Sequence, residues 1–174
     1  MINENFILTV DDVFTKEDCE KLISLYNKNL TVNKDTSYDF LDINVDSFLY
    51  LNKFAEVLEM YKTKYEEVNM TASYWALNTL RFKLFKKGDC FSQWHSEHCF
   101  SHQYRVLSMQ LYLTEHNCGT EFYNNKKTIL SKIGRVCIFP AYFTHTHKGQ
   151  PDFLKDRMII TGYYNFTEKG KNEI

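Results

Sequence analysis

Three of the six histidines lie between His95 and His102, and "QWHSEHCF" (93–100) sets His95 two residues before Glu97. On an extended strand, side chains at i and i+2 point to the same face. An imidazole and a carboxylate can therefore meet there at one point. The stretch "FTHTHKG" offers two candidates for a third donor, His145 and His147. Two histidines and one carboxylate on one face of a metal leave the opposite positions open, which suits ferrous iron with room for a cosubstrate and oxygen. Zinc held by His95, His98 and His102 is a competing reading. It requires a helix, and the aromatic residues and odd spacing argue against one. A His-x-Glu pair also arises by chance on a solvated strand face, so its neighbours in the chain must decide.

The elements that must position these residues change character near residue 69. Before it, "FTKEDCEKLISLYNKN" reads as an amphipathic helix with Thr15 as N-cap and Asp18 closing a capping box. Residues 30–46 read as a turn-rich loop. Ser47 to about Glu67 reads as a second helix with Leu51, Phe54, Ala55, Leu58 and Tyr65 on its apolar face. Beyond Asn69 come short runs rich in β-branched and aromatic residues. Gly88, Asn117-Cys118-Gly119, Asn124-Asn125, Gly134 and Gly149 punctuate them. The runs predict about eight strands. Two helices followed by many short strands predict a mainly β (α+β) fold, a closed or double-sheet β architecture with the helices packed outside. No linker or repeat divides the chain, so residues 1–174 read as one domain: a helical part over about 12–68 and a β core over about 70–167.

Composition narrows the function classes. A chain of 174 residues with 44% hydrophobic and 25% charged residues can bury a core without disulfides or a structural metal. A formal net charge of −1 gives no electrostatic reason to expect nucleic acid or an anionic membrane as partner. No apolar run reaches the roughly 20 residues that span a bilayer. "MINENFILTV" lacks a basic segment followed by a long apolar one, so a cytoplasmic protein is expected. Cys19, Cys90, Cys99, Cys118 and Cys137 are odd in number and contain no Cys-x-x-Cys pair, so they read as reduced thiols used as small core residues.

The order of motifs carries a resemblance. Gly88, His95-Ser96-Glu97, Arg105, Tyr112-Leu113, "CGTEF", "GRVCIFP", His147-Lys148-Gly149 and Arg157 follow one another along the chain. In that order they resemble the 2-oxoglutarate and iron(II)-dependent oxygenases, in particular the prolyl 4-hydroxylase-like branch. "DDVFTKEDCEKLISLY" resembles that branch's first helix. The resemblance implies a double-stranded β-helix (jelly-roll) with the metal inside. It implies His95, Glu97 and His147 as ligands of Fe(II), and Arg157 as the partner of the distal carboxylate of 2-oxoglutarate. Tyr112 matches a tyrosine that contacts the same carboxylate, and Thr161 a hydroxyl position lining the same pocket, with core packing as its other reading. Oxygen is the implied cosubstrate and ascorbate the reductant used in vitro. The implied reaction is hydroxylation of an unactivated C–H bond, first of a prolyl residue in a peptide or protein, and alternatively of a free amino acid or small metabolite. A non-oxidative cupin-like metal protein and an inactive binding module are the other readings, and a monomer or weak dimer is expected. Two positions depart from the pattern. Glu97 stands where the branch usually has aspartate, and Phe85 where it often has a tyrosine near the metal end of the cosubstrate.

Several further residues carry structural expectations. His98 and His102 are expected on an exposed loop, His116 in a turn, and Trp94 facing away from the metal in a sheet interface. Arg105 is expected to anchor a loop. His145 and His147 are expected on one strand, with His145 at the pocket mouth.

Overall fold

Thr15 opens the first helix as its sequence predicts. Its hydroxyl accepts from Asp18 N and Asp18 Oδ2 accepts from Thr15 N, both at 3.1 Å. Such a cap is worth about 1 kcal/mol. The computed structural model describes residues 5–29, 31–71 and 74–168. Within these residues the elements are β1 (Leu8–Val10), α1 (Lys16–Asn27), β2 (Asn33–Lys34), β3 (Asp39–Ile43), α2 (Leu51–Lys64), β4 (Trp75–Phe85), β5 (Leu107–Tyr112), β6 (Gly119–Phe122), β7 (Lys127–Leu130), β8 (Val136–Pro140), β9 (His147–Gly149) and β10 (Arg157–Phe166). The ends of the expected domain, and part of its helix-to-strand boundary, lie outside the described residues.

The strands form two antiparallel sheets. The larger has the order β1-β8-β5-β10-β4-β3-β2 and the smaller β7-β6-β9. Strand alternation gives the larger sheet two different faces. Leu80 and Phe82 of β4, Leu107, Met109 and Leu111 of β5, Val136 and Ile138 of β8, and Met158, Ile160 and Tyr164 of β10 pack outward in one core with the helices. Leu22 and Tyr26 of α1, and Phe54, Val57, Leu58 and Tyr61 of α2, meet them there. Phe54, Leu80 and Phe82 are fully buried, and each such side chain contributes roughly 1.5–3 kcal/mol. The inner face gives Phe85, Tyr112, Cys137, Phe139 and Ile159 to a second core, which Phe122 and Ile129 of the smaller sheet complete. Two sheets closed over an inner core, with helices against one outer face, make the expected double-stranded β-helix.

Two local expectations need correction. Residues 30–46 are not only a loop. β2 and β3 form a hairpin that extends the sheet beyond β4, with Leu41 opposite Phe82 and Ile43 opposite Leu80. The period-2 signal was present in Leu41-x-Ile43, but Asp39 and Asp42 obscured it. The extended strand expected to carry His95 and Glu97 does not form, and residues 91–97 are irregular. Only His95 makes a bridge, pairing antiparallel with His147. The strand β1, which pairs with β8, has no counterpart among the expected runs. No helix among the described residues is long and apolar enough to cross a membrane.

Candidate active site

The His95–His147 bridge is made by both backbones. His95 N donates to His147 O at 3.0 Å, and His147 N donates to His95 O at 2.9 Å. This brings the two rings within 4.4 Å, centroid to centroid. Each Nδ1 faces a carbonyl, Gln93 O for His95 and His145 O for His147, both at 3.0 Å. A carbonyl only accepts, so Nδ1 carries the proton and Nε2 presents its lone pair. Glu97 Oε1 lies 3.5 Å from His95 Nε2 and 3.8 Å from His147 Nε2. Donor atoms of the three residues lie within 4.8 Å of one another. His147 Nε2 is buried and has no hydrogen-bond partner. A buried orphan lone pair beside a carboxylate fits a metal ion, and no other group among the described residues satisfies it.

Glu97 is buried. Burial alone would raise its pKa, but the adjoining His147 and His95 rings and the charge of Lys83 hold it well below the ordinary carboxylate range. Its second oxygen, Oε2, accepts from Arg105 Nη1 at 2.9 Å, and the Arg105 guanidinium stacks 3.6 Å from the Tyr163 ring centroid. Arg105 therefore does more than anchor a loop. It fixes one carboxylate oxygen so that the other faces the histidines. The longer reach of glutamate is accommodated because Glu97 comes from irregular chain, not from a strand locked in register.

A cavity of about 270 Å³ opens from this cluster between the sheets. Arg157 lies in its wall and is only 2% exposed. Nη1 donates to Gly119 O at 3.3 Å, while Nε has no partner. The guanidinium rests 4.8 Å from the Phe85 ring centroid, so phenylalanine at this position supports the arginine from below. A Cβ on Gly149 would stand 3.2 Å from Arg157 Nη2, and the glycine leaves that side of the guanidinium open. A buried cation with an unused donor fits a carboxylate. Thr161 also lines the cavity, and its buried Oγ1 makes no hydrogen bond.

Tyr112 requires a correction. It is fully buried and stands behind the cavity wall, not at it. Its hydroxyl bonds with Gln110 Oε1 and Thr120 Oγ1, both at 2.9 Å, and Thr120 donates to Gln110 at 2.7 Å. Gln110 and Thr120 are the polar groups that reach the cavity. No motif singled out Gln110, and Thr120 entered only within "CGTEF" with no role of its own, because each looks like an ordinary strand residue in sequence. Lys83 was missed in the same way. It lines the cavity, where burial pulls its pKa below the ordinary lysine value against the opposing charge of Glu97.

The remaining histidines divide differently from expectation. His145 sits in a 3-10 turn, Phe143–His145, before β9 begins. It is buried, with Nε2 2.8 Å from Asn5 O and Nδ1 3.0 Å from Thr144 Oγ1. It is therefore neither on the strand of His147 nor at the cavity mouth. His116 is buried against Asp152, Nδ1 to Oδ2 at 2.6 Å. It belongs to a loop clamp and not to an open turn. His98 Nδ1 bonds to Arg105 O at 3.1 Å, and His102 lines the cavity. Trp94 points away from the cavity but is 40% exposed, stacked edge-on against Tyr123 and not inside a sheet interface. The five cysteines are free, but Cys99 is exposed beside the cavity and is no core residue.

No protein-family model matches the sequence, and no curated protein matches it either. Solved structures do match in shape. A viral collagen prolyl hydroxylase from Paramecium bursaria Chlorella virus-1, in complex with 2-oxoglutarate, superimposes with a TM-score of 0.74 at 14% identity, covering 94% of this chain and 97% of its own. HygX from Streptomyces hygroscopicus, with nickel and 2-oxoglutarate bound, gives 0.67 at 10% identity, covering 92% and 83%. A prolyl hydroxylase from Trichoplax adhaerens, in complex with a peptide fragment of the hypoxia-inducible factor oxygen degradation domain, gives 0.66 at 15% identity, covering 94% and 85%. The chain thus has the double-stranded β-helix fold of the prolyl hydroxylases and other 2-oxoglutarate–iron(II) oxygenases.

Proposed function

We propose that this protein is an Fe(II)- and 2-oxoglutarate-dependent dioxygenase that hydroxylates an unactivated C–H bond, with a prolyl ring as the first candidate for the reacting unit. The observation that carries this reading is one cavity holding both halves of the required chemistry. Two inward-facing imidazole lone pairs and a buried carboxylate lie at one end, and a buried guanidinium with an unused donor lines the wall. The prolyl ring is suggested by the fold neighbours, two of which are a viral collagen prolyl hydroxylase and a prolyl hydroxylase bound to a peptide. A non-oxidative cupin-like site would account for the three ligands but leaves Arg157 without a purpose.

When bound, iron with 2-oxoglutarate and oxygen supplies the oxidising equivalent, and succinate and carbon dioxide are the coproducts. The residues of this chain bind and orient. The carbonyls behind His95 and His147 take the Nδ1 side of each ring and turn Nε2 toward Glu97. Arg105 holds Glu97 so that Oε1 faces the metal position. Arg157 takes the distal carboxylate of 2-oxoglutarate, where a planar fork offers two parallel donors and remains charged. Thr161 adds a hydroxyl to the same pocket. The Tyr112–Gln110–Thr120 cluster keeps a polar wall in fixed orientation.

The test is conversion of 2-oxoglutarate to succinate by purified protein with ferrous iron and ascorbate, with and without candidate amino acids and peptides. Iron-dependent succinate formation, lost in Glu97→Ala, is expected. Turnover at the wild-type rate in Glu97→Ala would remove the carboxylate from the ligand set.

A further inference from the structure

The inner face of β4 presents Thr79, Arg81, Lys83 and Phe85 to the cavity in strict alternation. Three of the four cations that line the cavity have assigned partners. Arg81 is paired through two bonds with Asp42, Nε to Oδ1 at 2.6 Å and Nη2 to Oδ2 at 3.0 Å. Arg105 is paired with Glu97. Arg157 faces the position proposed for the cosubstrate. Lys83 is left over. It makes no ion pair among the described residues, and its Nζ has only the Tyr38 ring beneath it, 5.0 Å from the centroid. Glu97 is the one carboxylate that lines the cavity among the described residues, and its two oxygens are committed to Arg105 and to the histidine pair.

Register places this cation apart from Arg157. Phe85 is opposite Arg157 on β10, and Lys83 is opposite Ile159, two residues further along both strands. At roughly 3.4 Å per residue, Lys83 lies about 7 Å along the sheet from the Arg157–Phe85 pair. A dicarboxylate anchored on Arg157 and directed at the histidines already has both ends occupied. A second anion is needed to neutralise Lys83, and the molecule left to supply it is the substrate.

We infer that Lys83 is a substrate-binding residue that pairs with a free carboxylate, so that the substrate is a small acid of amino-acid size and not a residue inside a peptide. A residue within a chain has amides on both sides and brings no carboxylate to this point. The volume agrees: about 270 Å³ lies just below the roughly 300–1,000 Å³ usual for ligand sites, and metal and cosubstrate share it. This inference rests on the oxygenase reading and deepens it by naming the substrate class.

The experiment loads the protein with manganese(II) and saturating 2-oxoglutarate under nitrogen, then titrates two isosteric probes calorimetrically, pyrrole-2-carboxylate and pyrrole-2-carboxamide. Wild type and Lys83→Arg should bind the acid at least about tenfold more tightly than the amide, the preference a retained charge pair gives. Lys83→Met, which keeps the length and removes the charge, should bind both alike. Affinity for 2-oxoglutarate, measured on the same samples, should stay within about twofold of wild type in both variants and reports that they are folded. Equal binding of acid and amide by wild type, no binding of the acid, or a preference that survives in Lys83→Met overturns the inference. So does a tenfold loss of 2-oxoglutarate affinity in Lys83→Met, which would assign the lysine to the cosubstrate. Failure of manganese-loaded wild type to bind 2-oxoglutarate at all would instead defeat the oxygenase reading beneath it.

Discussion

Replacing Arg157 by methionine should move two properties in opposite directions. The guanidinium is buried, with one 3.3 Å bond to Gly119 O, an unpartnered Nε and the Phe85 ring at 4.8 Å. No carboxylate pairs with it among the described residues. In the ligand-free protein this is a desolvated cation without compensation, and such a charge costs several kcal/mol. The Gly119 bond and the aromatic contact return about half of that cost, on the order of 1–2 kcal/mol together. Arg157→Met keeps an unbranched side chain against Phe85 and removes the charge. The free protein should therefore gain about 1–3 kcal/mol, and Tm should rise at roughly 2–4 °C per kcal/mol for a domain of this size. Binding of 2-oxoglutarate should fall sharply. Losing a partly buried charge pair costs on the order of 2–5 kcal/mol, which is about thirtyfold to several thousandfold in Kd. Thermal unfolding of the manganese form, with and without 2-oxoglutarate, reads both effects. The ligand-induced rise in Tm should disappear while the baseline climbs. An affinity for 2-oxoglutarate within threefold of wild type would refute the assignment of Arg157. A lower baseline Tm would refute the claim that the cation is uncompensated.

Two further outcomes follow from the same geometry. His147→Ala should abolish manganese binding, because it removes the buried orphan Nε2. His145→Ala should retain the metal but lose some stability, because its ring ties the 3-10 turn to Asn5; retained metal in the first variant and lost metal in the second would reverse the ligand assignment. The pH prediction concerns Asp11, whose pKa is lowered from 3.8 to about 2, chiefly by its hydrogen bond from Arg135. A depressed carboxylate pKa stabilises the fold above the unfolded value and loses that contribution as pH falls through about 2. Asp11→Asn should therefore lower Tm by only a few degrees at pH 7, since a partly exposed pair contributes about 0.5–1 kcal/mol. The two unfolding curves should converge in strong acid, and a gap of undiminished size there would show that the effect is not electrostatic.

The sequence was most informative where one residue type has one use. Thr15 and Asp18 announced a capping box, and the glycine-punctuated apolar runs announced strands. His95 and Glu97 alone were ambiguous, with His145 and His147 both open as a third donor; it was the order of motifs around them, by its family resemblance, that singled out His147. It was least informative where a residue's role depends on what lies across the sheet. Gln110 and Thr120 become wall groups only because β5 and β6 face each other. Tyr112, in a motif position, is shielded by those same two side chains. Arg105 becomes the clamp on Glu97 through a loop closure that no local pattern encodes. His145 and His147 differ by two residues and looked equivalent under strand alternation. The 3-10 turn over Phe143–His145 breaks that alternation and sends one ring to Asn5 and the other toward Glu97.

The same alternation explains why the site and the core cannot be separated in this fold. Along β10, Met158, Ile160 and Tyr164 anchor the helices, while Arg157, Ile159, Thr161 and Tyr163 line the cavity. Along β4, Leu80 and Phe82 do the first job, and Arg81, Lys83 and Phe85 the second. A one-residue slip between these strands would place Arg157 against the helices and Met158 in the cavity. The outer core, with its aromatic contacts such as Tyr26 on Phe82, opposes that slip with many times the energy of any single polar contact. Its apolar packing is therefore what holds an uncompensated guanidinium and an unpaired ammonium in place, aimed inward, before any anion arrives to meet them.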